Sequence, residues 1–124
     1  MKQKVNEDKA AIYLAVHHKE ISEEIKKLSS VENFAGVLQA VVNQLRRLLD
    51  TGEFAKITRH IKYIGWIYKM GNEYIKYIIE NLFVRSLEGL RKKCSPAQWQ
   101  RIYTDIPKSF QVIYQAQNNF NQNR

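Results

Sequence analysis

On residue type alone, the histidines His17, His18 and His60 and the thiol of Cys94 are the first candidates for chemistry. Zinc is ordinarily held by histidines four apart on one helix or by cysteines at short spacing. His17 and His18 are adjacent, so on a continuous helix their side chains diverge by about 100° and cannot both face one ion. Together with a lone cysteine, this spacing predicts no metal centre. His18 falls on an apolar stripe and reads as a core or boundary histidine satisfied by its neighbours. Cys94 sits near a predicted helix C-terminus, where the dipole works against a thiolate, while Lys92 and Lys93 work in its favour. No nucleophile motif surrounds Ser86, Ser95 or Cys94, and the 5 glycines are scattered rather than gathered into a phosphate-binding loop. Glu80-Asn81 interrupts an otherwise apolar segment. Acid–base work there would need a second titratable group within hydrogen-bond reach, and the sequence offers no obvious one. The pair is then either a solvated rung of a charge ladder, with Asn81 bridging a helix contact, or a polar notch that a partner reads. The expectation is a protein that is not an enzyme, with no catalytic residues, no metal and no cofactor.

The basic and aromatic residues carry more. The chain has 20 Lys+Arg against 12 Asp+Glu, a net charge of +8 at pH 7. The excess is uneven: residues 1–52 carry +1 and residues 53–124 carry +7. In the segment 53–70, Lys56, Arg59, His60, Lys62 and Lys69 are interleaved with Tyr63 and Trp66. Such a mixture can dock an acidic protein surface by charge steering and an aromatic anchor. It can also hold phosphates and stack bases, although no helix-turn-helix, zinc-finger or RNA-binding signature accompanies it. A solubilising face is the plainest alternative. The expectation is an interaction protein that binds another, acidic, protein through Arg59, Lys62, Tyr63 and Trp66, with Arg46 and Arg47 as second choices. The alternative is a nucleic-acid-binding protein using the same face of 53–70. A homodimer is compatible with either.

Helices must position these residues. A chain of 124 residues, 44% hydrophobic and 26% charged, fits one domain spanning 1–124. With only 2 prolines and 5 glycines, long helices are favoured over a turn-rich β fold. The apolar spacing predicts a first helix from Asn6 to Leu28, with Leu14, His18, Ile21, Ile25 and Leu28 on one stripe. A second is opened by a Ser29…Glu32 capping box and runs to Leu49, ended by Asp50-Thr51-Gly52. A third spans Glu53 to Met70. A fourth spans 72–93 from an Asn72 cap, and a short fifth starts at Ser95-Pro96 and reaches about Thr104. A sixth covers Lys108 to about Gln117, leaving 118–124 as a frayed tail. Connections of two to four residues predict an all-α, five- to six-helix bundle of antiparallel hairpins with HEAT-like packing. The helix 72–93 is apolar over most of its circumference and is expected at the centre. Ile75, Ile78, Ile79, Leu82, Phe83, Leu87 and Leu90 form one side; Tyr74, Tyr77 and Val84 add another. Its polar strip predicts the ion pairs Glu73–Lys76, Lys76–Glu80, Arg85–Glu88 and Glu88–Lys92, and Glu23–Lys27 is expected on the first helix.

The N-terminus is basic, but the apolar run Ala10–Val16 is short, contains Tyr13 and is closed by charges or histidines, so neither a signal peptide nor a membrane span is expected. A single cysteine excludes an intramolecular disulfide and fits a reducing compartment. The expectation is a cytoplasmic, bacterial-type protein.

Phe54, Ile57, Ile61 and Ile64, the Gly71-Asn72 turn, then Ile75, Ile79, Phe83, Ser86 and Leu87 together form a two-helix pattern. It resembles the central pattern of a family of small, all-helical bacterial proteins of unknown function, and Trp99 matches that family's C-terminal tryptophan. The resemblance covers residues 30–110. It implies an all-α fold and, by analogy, an immunity-type or adaptor role. It carries no catalytic residues, so none is transferred.

Overall fold

The structure, a computed structural model, describes residues 4–122 of the chain, with side chains from 4 to 118. The described residues are all-helical and contain no strand. The helices are α1 (Glu7–His17), α2 (Ser22–Ser30), α3 (Phe34–Asp50) and α4 (Phe54–Met70). Next comes α5, one rod made of Glu73–Ile78, a π-helical turn Ile79–Val84 and Arg85–Lys92. The last two are α6 (Pro96–Thr104) and α7 (Lys108–Gln122). The segment 118–124, expected as a tail, lies partly in α7 and partly outside the described residues.

Polar side chains set the helix starts. Asn6, Asn33, Asn72 and Ser95 each accept a hydrogen bond from the backbone N–H three residues on, satisfying one donor that the first turn leaves orphaned. Ser95 and Gln98 complete a reciprocal capping box ahead of Pro96. The cap of α3 differs from the sequence reading. Ser29 lies inside α2, which continues through Ser30, and the turn then needs Glu32 at φ 57 before Asn33 can cap. Gly52, with φ 73, closes α3 in the left-handed region as its type predicts.

The first predicted helix is two helices. His18 leaves the helical region with φ −116 and ψ 70. Its N–H bonds Leu14 O at 2.8 Å, and its ring Nδ1 donates to the same carbonyl at 3.0 Å. A 3₁₀ turn, Lys19–Ile21, then leads into α2. The predicted stripe survives the break: Leu14, His18, Ile21 and Ile25 are all buried.

The core is built from Val37, Leu38 and Val41 of α3, Ile57, Ile61, Ile64 and Ile67 of α4, Ile75, Ile79, Phe83 and Val84 of α5, and Phe110 of α7. The rod α5 packs against α3, α4 and α7. Its second predicted apolar side divides: Val84 is buried, but Tyr74 and Tyr77 are exposed. The predicted ion-pair ladder is replaced by other partners. Glu73 pairs with Lys4 at 3.3 Å, and Lys76 lies over the Tyr68 ring at 5.8 Å. Glu88 takes both Nε and Nη2 of Arg91, at 2.8 and 2.7 Å, and also accepts from the Tyr114 hydroxyl. Glu23 pairs with Lys26 rather than Lys27, at 3.7 Å. The chain just before α1 is tied to the α4–α5 turn: Val5 N–H donates to Met70 O, Asn72 N–H donates to Val5 O, and Asn72 Nδ2 donates to Glu7.

Candidate interaction surface on α1 and α4

Four aromatic rings from two helices form a continuous strip. On α4, Tyr63 and Trp66 are three residues apart; on α1, Tyr13 and His17 are four apart, so each pair shares a helix face. Tyr13 stacks on Trp66 with centroids 4.5 Å apart and planes 22° apart. His17 lies 4.4 Å from Tyr13 and 4.4 Å from Tyr63. Trp66 remains 42% exposed although it is stacked. Arg59 and Lys62 are exposed on the same helix. Burial, and after it the neighbouring Tyr63, pushes the Tyr13 phenol above its ordinary range.

Beneath the strip lies a second pair of rings. The imidazoles of His18 and His60 have centroids 4.0 Å apart and planes 35° apart. They are 0% and 5% exposed. Once Nδ1 of His18 has donated to Leu14 O, its Nε2 finds no hydrogen-bond partner among the described residues, and neither nitrogen of His60 finds one. Burial disfavours the charged form of both. His60 acts further on His18, and Arg59 and Lys56 on His60, so each is lowered to about 4. Both rings are therefore neutral at pH 7. Lys56 is itself held by Glu53 at 3.1 Å and by Glu20 of the 3₁₀ turn at 3.9 Å.

The structure thus groups some predicted residues and separates others. Tyr63 and Trp66 stand together, with Arg59 and Lys62 on their helix. Arg46 and Arg47 belong to α3. Nη2 of Arg46 reaches Gly89 of α5, and Arg47 is tied to Gln44 at 2.9 Å. Sequence reasoning missed Tyr13 and His17. Their four-residue spacing is the signal, although Tyr13 on its own only interrupts an apolar run. The divergence expected of His17 and His18 fails because His18 lies outside the helix, which lets both rings turn toward α4. The expected satisfaction of His18 holds for one ring nitrogen only. Among the described residues no group of three or more His, Cys, Asp or Glu is placed to hold a metal ion.

Glu80 is not a solvated rung. It is half-buried and accepts from the Tyr68 hydroxyl at 2.6 Å, which adds to burial in pushing that phenol up to about 12. Its backbone carbonyl accepts from Gln117 Nε2 at 3.0 Å. Asn81 is exposed and donates back to Tyr77 O at 2.9 Å. The pair sits in the π turn, where the widened backbone presents carbonyls to side chains. Glu80 fastens α4, α5 and α7 together. Burial raises the Cys94 thiol above its ordinary range, against nucleophilic use. Glu7, Asp8 and Glu32 line an open hollow of about 380 Å³ with Asn6, Asn33 and Tyr74, and no histidine lines it.

Fold and surface together define a small all-helical domain that presents an aromatic face beside exposed cations. The chain belongs to the family described as a domain of unknown function, DUF7674, whose model matches residues 11–122. That agrees with the resemblance carried by Phe54, Ile57, Gly71, Asn72, Phe83 and Leu87. A search of curated proteins finds no match, and a search of solved structures finds none. Among the described residues, no helix is long and apolar enough to cross a membrane.

Proposed function

We propose that the protein is a non-enzymatic interaction module that recognises an acidic surface of another protein through the α1–α4 strip. One arrangement supports this reading: Trp66 is held in place by Tyr13 yet remains 42% exposed, with Arg59 and Lys62 exposed on its helix. An aromatic ring already held loses little freedom on docking, so more of its contact energy appears as affinity. Cations at the rim speed and orient the approach of an acidic partner more than they tighten the complex. In this reading Trp66 is the anchor, Tyr63 its neighbouring wall, and Arg59 and Lys62 steer. Arg46 and Arg47 are secondary contacts from α3. An immunity-type inhibitor or an adaptor in the cytoplasm of a bacterium is the concrete form. The framework for it is a bundle of antiparallel hairpins with HEAT-like packing.

The interleaving of Lys56, Arg59, Lys62 and Lys69 with Tyr63 and Trp66 favours nucleic acid as the alternative partner. Salt separates the two. A complex held by phosphate contacts weakens linearly on a log–log plot, with a slope of roughly −0.9 for each phosphate neutralised on duplex DNA. An anchored protein interface responds far less. Affinity capture with and without nuclease, followed by a salt titration of the retained species, tests the proposal. Retention of a protein after nuclease treatment supports it, and loss of all retained material on nuclease treatment contradicts it.

A further inference from the structure

We infer that His18 and His60 form a proton-operated latch: protonating the pair drives α1 off α4 and takes apart the Tyr13–Trp66 stack further along the same two helices. Only the consequence, loss of binding in acid, rests on the reading of the strip as an interaction surface.

The geometry puts the two imidazoles in contact at 4.0 Å with three ring nitrogens unpartnered among the described residues. Neutral rings pack there as aromatic surface. Charged rings would face each other with little compensation. The groups around them are His17 from α1, Glu20 from the 3₁₀ turn, and Lys56, Arg59 and Tyr63 from α4, with Glu53 paired to Lys56. The carboxylate of Glu20 is shared with Lys56 at 3.9 Å. On the neighbouring helices, Glu23 and Glu24 of α2 and Arg47 and Asp50 of α3 are solvent-exposed. A proton on His18 is opposed by its partner ring and by His17, with Glu20 acting the other way, and a proton on His60 is opposed by Arg59 and Lys56.

α1 is tied to the α4–α5 turn at its N-terminal end, so it parts from α4 at its His18 end. It is anchored by Ala10, Ala11, Leu14 and Ala15, three of which bury little side-chain area. Its C-terminal end is already broken at His18, so a swing there disrupts no continuous helix. Each ring is lowered to about 4 in the closed arrangement, from an ordinary value of 6.5. Linkage then multiplies the opening equilibrium at pH 5 by on the order of 30-fold for each histidine freed, relative to neutral pH. Openings of this kind are local and leave the core intact.

The test is nuclear Overhauser spectroscopy of the full chain from about pH 7.5 down to about pH 3, below the folded value of either ring. The expected result is loss of the Tyr13–Trp66 ring contact with a midpoint between pH 6.5 and 4, while the core contact of Phe83 with Phe110 persists. The ring protons of His18 and His60 titrate through the same midpoint. His60→Leu removes one proton site and moves the loss to lower pH. If that variant does not fold, the unsubstituted chain decides alone. A Tyr13–Trp66 contact that survives while both rings become charged overturns the inference. So does one lost only together with the Phe83–Phe110 contact. No partner enters the measurement, so failure of the latch and failure of the interaction reading register separately.

Discussion

The ring of Tyr13 stacks on that of Trp66 with centroids 4.5 Å apart and planes inclined by 22°, so α1 completes a surface that α4 only begins. Tyr13→Leu is expected to free the indole and cost about 0.5–1.5 kcal/mol, the usual worth of an aromatic pair beyond its buried area. Denaturant unfolding measures the loss, and a red shift of tryptophan emission reports the greater exposure of Trp66. An unchanged midpoint and emission would show that the stack is incidental.

The clasp between Tyr68 and Glu80 gives a prediction in the alkaline range. The phenol is pushed up to about 12 by burial first and by the Glu80 carboxylate second. Glu80→Gln removes the charge and leaves the burial, so the Tyr68 pKa is expected to fall but stay above its ordinary value. Ultraviolet titration of the phenols, with Tyr68→Phe to identify the transition, reads the shift. Tyr68→Phe, which loses the hydrogen bond, should also cost about 1 kcal/mol.

Gly65 reports how closely α4 meets the turn before α7. A Cβ there would stand 2.9 Å from Cγ of Pro107, on a rigid ring. Gly65→Ala gains about 1 kcal/mol of helix propensity. It meets an overpacking cost of about 1–3 kcal/mol. The second effect should win, and the thermal midpoint should fall. A rise would mean that the Pro107 turn gives way easily.

Most of the helical plan could be read in the sequence because the signals were local. Asn72 and Ser95-Pro96 cap where their chemistry says they should, and Gly52 closes α3. Phe34, Val37, Leu38, Val41, Val42, Leu45 and Leu48 of α3 are buried at helical spacing, and Leu49 is half-buried. The failures share a different cause, because they depend on competing or distant groups. The helix break at His18 arises when a ring nitrogen and a backbone N–H take the same Leu14 carbonyl, which no periodicity reveals. The ladder along α5 was drawn from spacing alone, whereas Glu80 and Glu88 chose Tyr68 and Tyr114 from other helices. In the candidate surface, Tyr63 and Trp66 were visible because charge and aromatic residues alternate within one helix. Tyr13, His17 and the His18–His60 contact depend on how α1 is set against α4, a tertiary fact.

Acid should weaken the fold through the same two histidines. Unfolded, each takes a proton near 6.5; folded, each is lowered to about 4. Between those values the unfolded chain holds more protons, so stability rises with pH. The contribution is complete above about pH 6.5 and is lost as pH falls through about 4. It amounts to at most on the order of 3 kcal/mol for each ring, at 1.36 kcal/mol per unit. Urea midpoints measured across this range should fall with acidification, and His60→Leu should flatten the dependence. A flat profile in the unsubstituted chain would contradict it.

Quantitative capture on immobilised unsubstituted and Trp66→Ala chains, from nuclease-treated extract of the cells that make the protein, tests the interaction surface most directly. The account predicts a protein that the unsubstituted chain retains and that Trp66→Ala binds at least about 10-fold more weakly, as truncating an anchor residue does. A partner that binds both chains equally well, or retention that vanishes with nuclease, would contradict it.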